Sequence, residues 1–180
     1  MPQQPRFPDL RRLPHDFDPA GLAADTANFS KTEWIEHFVK HNYDGDRSVI
    51  PLRGPAGASH PVQMIYSDPG RADFADTPML AGSRHFRAVL DDFARPVHAV
   101  RLMLLSLGSV IKEHHGNDLC FEQGMVRIHI PVTTNDGVDF RLNGALRHGG
   151  RIELVIAPDW PAQRRQPGRD RPGPSGHRCR

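Results

Sequence analysis

Between Val97 and Gly144 the chain reads as short strand-like segments broken by turn residues, which narrows the possible folds more than any other stretch. The segments are "VHAVRLMLLSL", "VIKEHH", "MVRIHIPV" and "VDFRLNG"; the breaks fall at Gly108-Ser109, in a loop through Gly124 and at Asn135-Asp136-Gly137. Gly, Asn and Asp accept turn backbone that other residues resist, so strands joined this way favour antiparallel pairing. Upstream the pattern is helical. Ser83 precedes Phe86, Val89, Leu90 and Phe93 at i, i+3, i+4 and i+7, the spacing of one helix face. Ser30-Lys31-Thr32-Glu33 has the spacing of a capping box, and Trp34, Ile35 and Phe38 follow as an apolar stripe, which predicts an earlier helix packed on a sheet. "SVIPLRG" (48–54) predicts a strand. "GPAGASHP" and "YSDPGRADFADTP" predict loops, and residues 1–20, rich in proline and charge, an extended lead-in. Helices first and short strands afterwards give a mainly β, α+β chain: an antiparallel sandwich or barrel with helical support on one side.

A length of 180 residues suits one domain with a substantial core. No stretch has the length of a membrane span and the first residues lack the apolar run of a signal peptide, so the expectation is a cytoplasmic chain with no membrane partner. Cys120 and Cys179 are too few and too far apart for a disulfide framework, which fits a reducing compartment. The formal charge of +2 is unevenly spread: residues 145–180 hold 8 of the 23 Lys and Arg and 3 of the 21 Asp and Glu, making that segment +5 and the rest −3. One segment supplies the whole basic excess, so nucleic acid is not the expected partner.

Two groups of polar residues stand out in the strand region. In "MVRIHIPV", Arg127 and His129 share one face and Val126, Ile128 and Ile130 the other. On a simple sandwich the Arg/His face is the wet one. In a barrel used as a cup it points at a ligand, with Arg as a fork for a carboxylate and His as a donor or acceptor. His114 and His115 end the preceding strand, beside Gly116, Asn117 and Asp118. Two adjacent residues of an extended strand cannot aim into one site, so at most one is a ligand; a surface loop is the plainer reading of both.

These segments carry a resemblance. From about Leu13 to Gly144 the chain resembles the aspartyl/asparaginyl β-hydroxylase family of iron(II)- and 2-oxoglutarate-dependent oxygenases. The likeness rests on "RLMLLSLGSVIKEHH" (101–115), "VRIHIPVTTN" (126–135) and "VDFRLNG" (138–144), with support from "IPLRG" and "DFADTP". It implies a double-stranded β-helix (jelly roll, cupin-like), with His114 as the first iron ligand and Arg127 and His129 near the 2-oxoglutarate carboxylate. It also implies oxidative decarboxylation of 2-oxoglutarate to succinate, coupled to hydroxylation of an unactivated C–H bond in a small-molecule or peptide substrate. Many bacterial members carry a carboxylate two residues after the first histidine, completing a two-His, one-carboxylate triad. Gly116 stands there, as glycine does in vertebrate-type members, and Asp118 could substitute only if the loop bends back.

The likeness stops at Gly144. The family's second iron ligand, in a Pro-His-Ser-Val-like segment after a Gly-Glu turn, and its Arg on the last core strand are missing. "RIELVIA" reads as one strand, but "PDWPAQRRQPGRDRPGPSGHRCR" has five prolines, six arginines and almost nothing to bury. Back-translated with every degeneracy kept and re-read one nucleotide later, the segment from Trp160 permits "GPHSVANRGATDRVHLVIDA", and the stretch from Gly144 to Arg151 permits "ERCVMEAG". An uninterrupted series in one frame points to a single-nucleotide frameshift near Asn143-Gly144. The expected organisation is a lead-in (1–20), an oxygenase-like β-helix domain with helical support (21–144) that lacks its last core strands, and a mostly disordered Arg/Pro/Gly-rich tail (145–180). The activity expected of the written chain is low. The alternative is a non-enzymatic cupin-like binding module whose basic tail contacts nucleic acid or an acidic partner.

Overall fold

A computed structural model describes residues 10–66, 70–112, 124–135, 137–142, 145–147 and 153–155. The chain divides into two compact units, one from Phe17 to His115 and the other combining Met1–Asp16 with Gly116–Arg180. The architecture is mixed α+β, with antiparallel strand pairing throughout and helices in the N-terminal part. Among the described residues the strands form separate small sheets, and no closed barrel is traced.

The Phe17–His115 unit is built around one strand. Strand β4 (Arg47–Pro55) pairs with β6 (Val100–Leu105) along one edge; its other edge is shared by β2 (Ile35–Glu36) and β5 (Phe74–Asp76). Val49, Ile50, Pro51 and Leu52 are consecutive and all buried, so β4 is covered on both faces. Proline cannot donate to a ladder and is tolerated in sheets where pairing is irregular. The β4–β6 register accordingly shifts between Pro51 and Arg53. Thr77 holds the irregular stretch, its hydroxyl donating to the Pro51 carbonyl at 2.6 Å and its backbone N–H to that of Leu52 at 3.0 Å.

Among its described residues this unit also carries four α-helices: α1 (Pro19–Ala27), α2 (Pro61–Met64), α3 (Pro78–Ala81) and α4 (Arg84–Asp91). Helix α4 is the one predicted after Ser83, and it buries Phe86 and Val89 of the predicted face. Both join Leu22, Ile65, Leu80 and the β4 residues in the core. A two-stranded pair, β3 (Tyr43–Asp44) with β7 (Val110–Ile111), closes the unit after the Gly108 turn. Gly108 has φ +76, the left-handed conformation for which glycine suits that turn.

The helix expected from Ser30 does not form. Glu33 reaches back to accept the Ser30 N–H at 2.7 Å, as a capping box requires, yet only a single 3-10 turn follows (Lys31–Glu33). Trp34 is already extended, and Ile35 pairs with Val49 of β4. β-Branched and aromatic residues at 32, 34, 35, 38 and 39 lose rotamer freedom in a helix, so the sheet edge wins over a good start signal. Two other expectations are corrected. The lead-in contains β1 (Leu10–Arg12) and the first residues of α1, and the loops expected at 54–61 and 66–78 contain the start of α2, β5 and the start of α3. Helix α1 follows an N-cap signal: Asp18 accepts the Ala20 N–H at 3.0 Å and Pro19 occupies the first turn.

In the other unit, β1, β11 (Glu153–Val155) and β8 (Arg127–His129) form a three-stranded antiparallel sheet in that order. Strand β9 (Phe140–Leu142) pairs with β10 (Ala145–Arg147). The strand read in "RIELVIA" is thus present as β11, whereas the tail from Pro158 onward, Cys120 and Cys179 lie outside the described residues. No helix among the described residues is long and apolar enough to cross a membrane.

Candidate functional site

The site predicted from the sequence centres on β8. β-Branched residues alternate along "MVRIHIPV" after Gly124, whose φ of +73 turns the chain into the strand. After β8 the chain turns at Asn135, whose side chain accepts the Gly137 N–H at 2.9 Å and whose carbonyl accepts that of Val138 at 3.1 Å. This Asx turn leads into β9 and sets Phe140 beside His129, ring centroids 5.9 Å apart.

Arg127 and His129 sit two residues apart on β8 and therefore share a face. Arg127 is exposed and His129 half-buried. Burial pushes the His129 imidazole down to about 4, and the neighbouring Arg127 charge pushes it the same way. At neutral pH the ring is therefore uncharged, one nitrogen a donor and the other an acceptor. The exposed Arg127 guanidinium remains a cation in any protein setting. The pair offers one fixed positive fork and one neutral hydrogen-bonding ring, which suits one carboxylate and an adjoining oxygen.

Sequence reasoning missed a third basic residue of this face. The register sets His129 across from Glu153 and Glu153 across from Arg12, so Arg12 and His129 occupy one cross-strand row. Two strand spacings separate them, roughly 10 Å. Arg12 is exposed. It lay in the segment taken as lead-in, and only the partnership of β1 with β11 brings it here.

His114 and His115 lie outside the described residues, as do Gly116, Asn117 and Asp118. Among the described residues no group of three or more His, Cys, Asp and Glu could hold a metal ion. The described part of the face offers a cation and a neutral ring suited to a carboxylate, and among the described residues it offers no iron ligand set.

The Phe17–His115 unit carries a second polar cluster. Asp76 on β5 accepts Arg53 Nη1 at 2.5 Å on one oxygen and Arg87 Nη1 at 2.6 Å on the other. Burial raises the Asp76 pKa, but the two guanidiniums outweigh it and hold the carboxyl below its usual value. Arg53 also donates to the carbonyls of Val97 at 2.8 Å and Phe74 at 2.9 Å. These bonds tie β4, β5 and α4 around a shallow cleft of about 180 Å³. With both carboxylate oxygens engaged, the cluster is a clasp between elements.

Comparison with protein-family models, with curated proteins and with solved structures finds no match.

Proposed function

We propose that the chain derives from an iron(II)/2-oxoglutarate-dependent hydroxylase acting on an amino-acid side chain, free or in a peptide, and that the written chain retains the co-substrate face and is impaired in turnover. One observation carries the reading: Arg127 and the neutral His129 share one face of β8. The planar fork of Arg127 matches a carboxylate, and the uncharged ring beside it can hydrogen-bond the adjoining oxygen. Arg127 would bind the carboxylate, and His129 would donate to or accept from the adjoining oxygen. The Phe140 ring lies beside that of His129, centroids 5.9 Å apart. His114 would hold the metal, which when bound supplies the oxygen chemistry.

Titration calorimetry with 2-oxoglutarate, with iron(II) present, tests the reading. Wild type should bind, and Arg127→Lys, which keeps the charge but loses the planar fork, should weaken binding at least about tenfold. Failure of wild type to bind 2-oxoglutarate, or full affinity in Arg127→Lys, would overturn it.

A further inference from the structure

The cleft beside the Arg53–Asp76–Arg87 clasp holds charges that the clasp does not use. It is lined by Arg53, Asp76, Arg87, Leu90, Asp91 and Val97, all in the Phe17–His115 unit, and its volume is about 180 Å³. Two arginines and two aspartates make the lining neutral overall. Each side-chain nitrogen of Arg53 already donates, to the Val97 carbonyl, to Asp76 and to the Phe74 carbonyl. Arg87 spends Nη1 on Asp76 at 2.6 Å, and among the described residues nothing engages its Nε or Nη2. A guanidinium presents its donors as a planar fork, so one edge of Arg87 is left for a ligand. Asp91 follows Arg87 by four residues on α4, which sets both on one face of the helix, a turn apart. An Arg and an Asp at that spacing can pair, but Arg87 reaches across to Asp76 of β5, and the exposed Asp91 makes no ion pair among the described residues. The clasp thus keeps apart a cation and an anion that could otherwise neutralise each other. Leu90 and Val97 supply the apolar part of the lining, and Arg53 fixes the Val97 backbone at 2.8 Å.

We propose that this cleft binds a free α-amino acid with an aliphatic side chain. Such a molecule is a zwitterion, neutral overall, with a carboxylate and an ammonium on one carbon. The carboxylate fits the unused edge of Arg87, the ammonium fits Asp91, and the side chain lies against Leu90 and Val97. A ligand with a carboxylate alone would leave Asp91 without a partner, and one with an ammonium alone would face two guanidiniums, so the zwitterion matches both charges at once. The volume is below the roughly 300 Å³ at which pockets for drug-sized ligands begin, which restricts the site to a small molecule. The cleft is shallow and its charges are partly hydrated, so the affinity is weak, with a Kd on the order of 1 mM. The cleft shares no residue with the Arg127/His129 face on β8, and the proposal stands independently of the function assigned to that face.

Nuclear magnetic resonance titration of the full ¹⁵N-labelled chain tests the site with three probes: L-leucine, 4-methylpentanoate, which lacks the ammonium, and 3-methylbutylamine, which lacks the carboxylate. Leucine should shift the amide signals of Leu90, Asp91 and Val97 saturably, and each analogue should bind about tenfold more weakly or less. Asp91→Asn, at an exposed position, should fold as wild type does; it should weaken leucine about tenfold and leave 4-methylpentanoate unchanged, a split that a merely structural role for Asp91 would not produce. No saturable shift with leucine up to about 50 mM overturns the proposal, since a site of this affinity would be nearly full there. It is overturned equally if either analogue binds as tightly as leucine, or if Asp91→Asn binds leucine as wild type does or weakens leucine and 4-methylpentanoate alike.

Discussion

Asp25 of α1 caps a helix other than its own: its Oδ2 accepts the backbone N–H of His85 at 2.7 Å and that of Phe86 at 3.2 Å. These amides belong to the first turn of α4, where N–H groups have no partner within the helix. Ser83, the N-cap residue by position, makes no capping bond and donates instead to the Met79 carbonyl. Asp25 Oδ1 meets His85 Nδ1 at 3.0 Å, so one buried carboxylate serves three donors.

Asp25→Ala should therefore destabilise the protein by about 2 kcal/mol or more, the scale of lost hydrogen bonds to a charged group plus a lost cap. Burial raises the Asp25 pKa, but the His85 side chain and the two amides outweigh it and hold the carboxyl below its usual value. A depressed carboxylate contributes stability that is present above its unfolded value of 3.8 and is lost as pH falls through the lower folded value. Urea denaturation at several pH values should show the loss at pH 7 for Asp25→Ala, and a flatter acid limb below pH 3.8 for Asp25→Asn. An Ala variant as stable as wild type would mean that water replaces the carboxylate at the α4 terminus.

Gly21→Ala should disturb the same clasp from the other side. A Cβ at Gly21 would overlap the His85 ring and come within 2.6 Å of Asp18 Oδ2. The ring is bound to Asp25 and cannot move away without breaking that contact, so a cost of about 1–3 kcal/mol is expected, as for overpacking. Pairing the substitution with His85→Ala should recover part of the loss. If the two costs simply add, the ring is not the obstacle.

The parts of this clasp differed in how far the sequence disclosed them. Helix α4 was readable because its apolar residues repeat at helical spacing over two turns, and β4 because a short β-branched run lies between turn residues. Helix α1 was hidden by the prolines around it, although Asp18-Pro19 is a start signal. The segment at Ser30 misled for the opposite reason: its start signal is real, but Ile35 pairs with Val49, a contact 14 residues away in the chain that no local pattern shows. At the candidate site, the period of two placed Arg127 and His129 together. Arg12 joins their face only through a strand partnership spanning most of the chain, and the neutrality of His129 depends on burial.

His129 has a folded pKa below its unfolded one, so the unfolded chain binds the proton first and stability falls as pH drops from 6.5 towards about 4. His129→Leu should remove that part of the pH dependence. A ring signal followed by nuclear magnetic resonance should show His129 uncharged at pH 6; titration near 6.5 would show that solvent reaches the ring freely.

On the proposed function His114, the position matching the first iron ligand, holds the metal and His115 does not, so His114→Ala should abolish residual iron binding and His115→Ala should spare it. Equilibrium dialysis with iron(II) separates them. Equal losses from both, or none from either, would remove His114 from the proposed site.

Restoring the reading frame after Gly144 should convert a weak iron binder into an enzyme that consumes 2-oxoglutarate. Metal affinity depends on the number and geometry of fixed ligands, and the written sequence offers His114 with at most a loop carboxylate beside it. The re-read frame supplies a second histidine, in "PHSV", and an arginine ahead of the apolar "VHLVI" run. Succinate release, with iron(II) and 2-oxoglutarate supplied, should appear in the restored protein alone. The Arg127→Lys substitution made in the restored chain should raise the concentration of 2-oxoglutarate needed for half-maximal rate, which ties the gain to the face on β8. If the written chain releases succinate as fast as the restored one, the frameshift is not what limits it, and a residue of the written tail such as His148 completes the site.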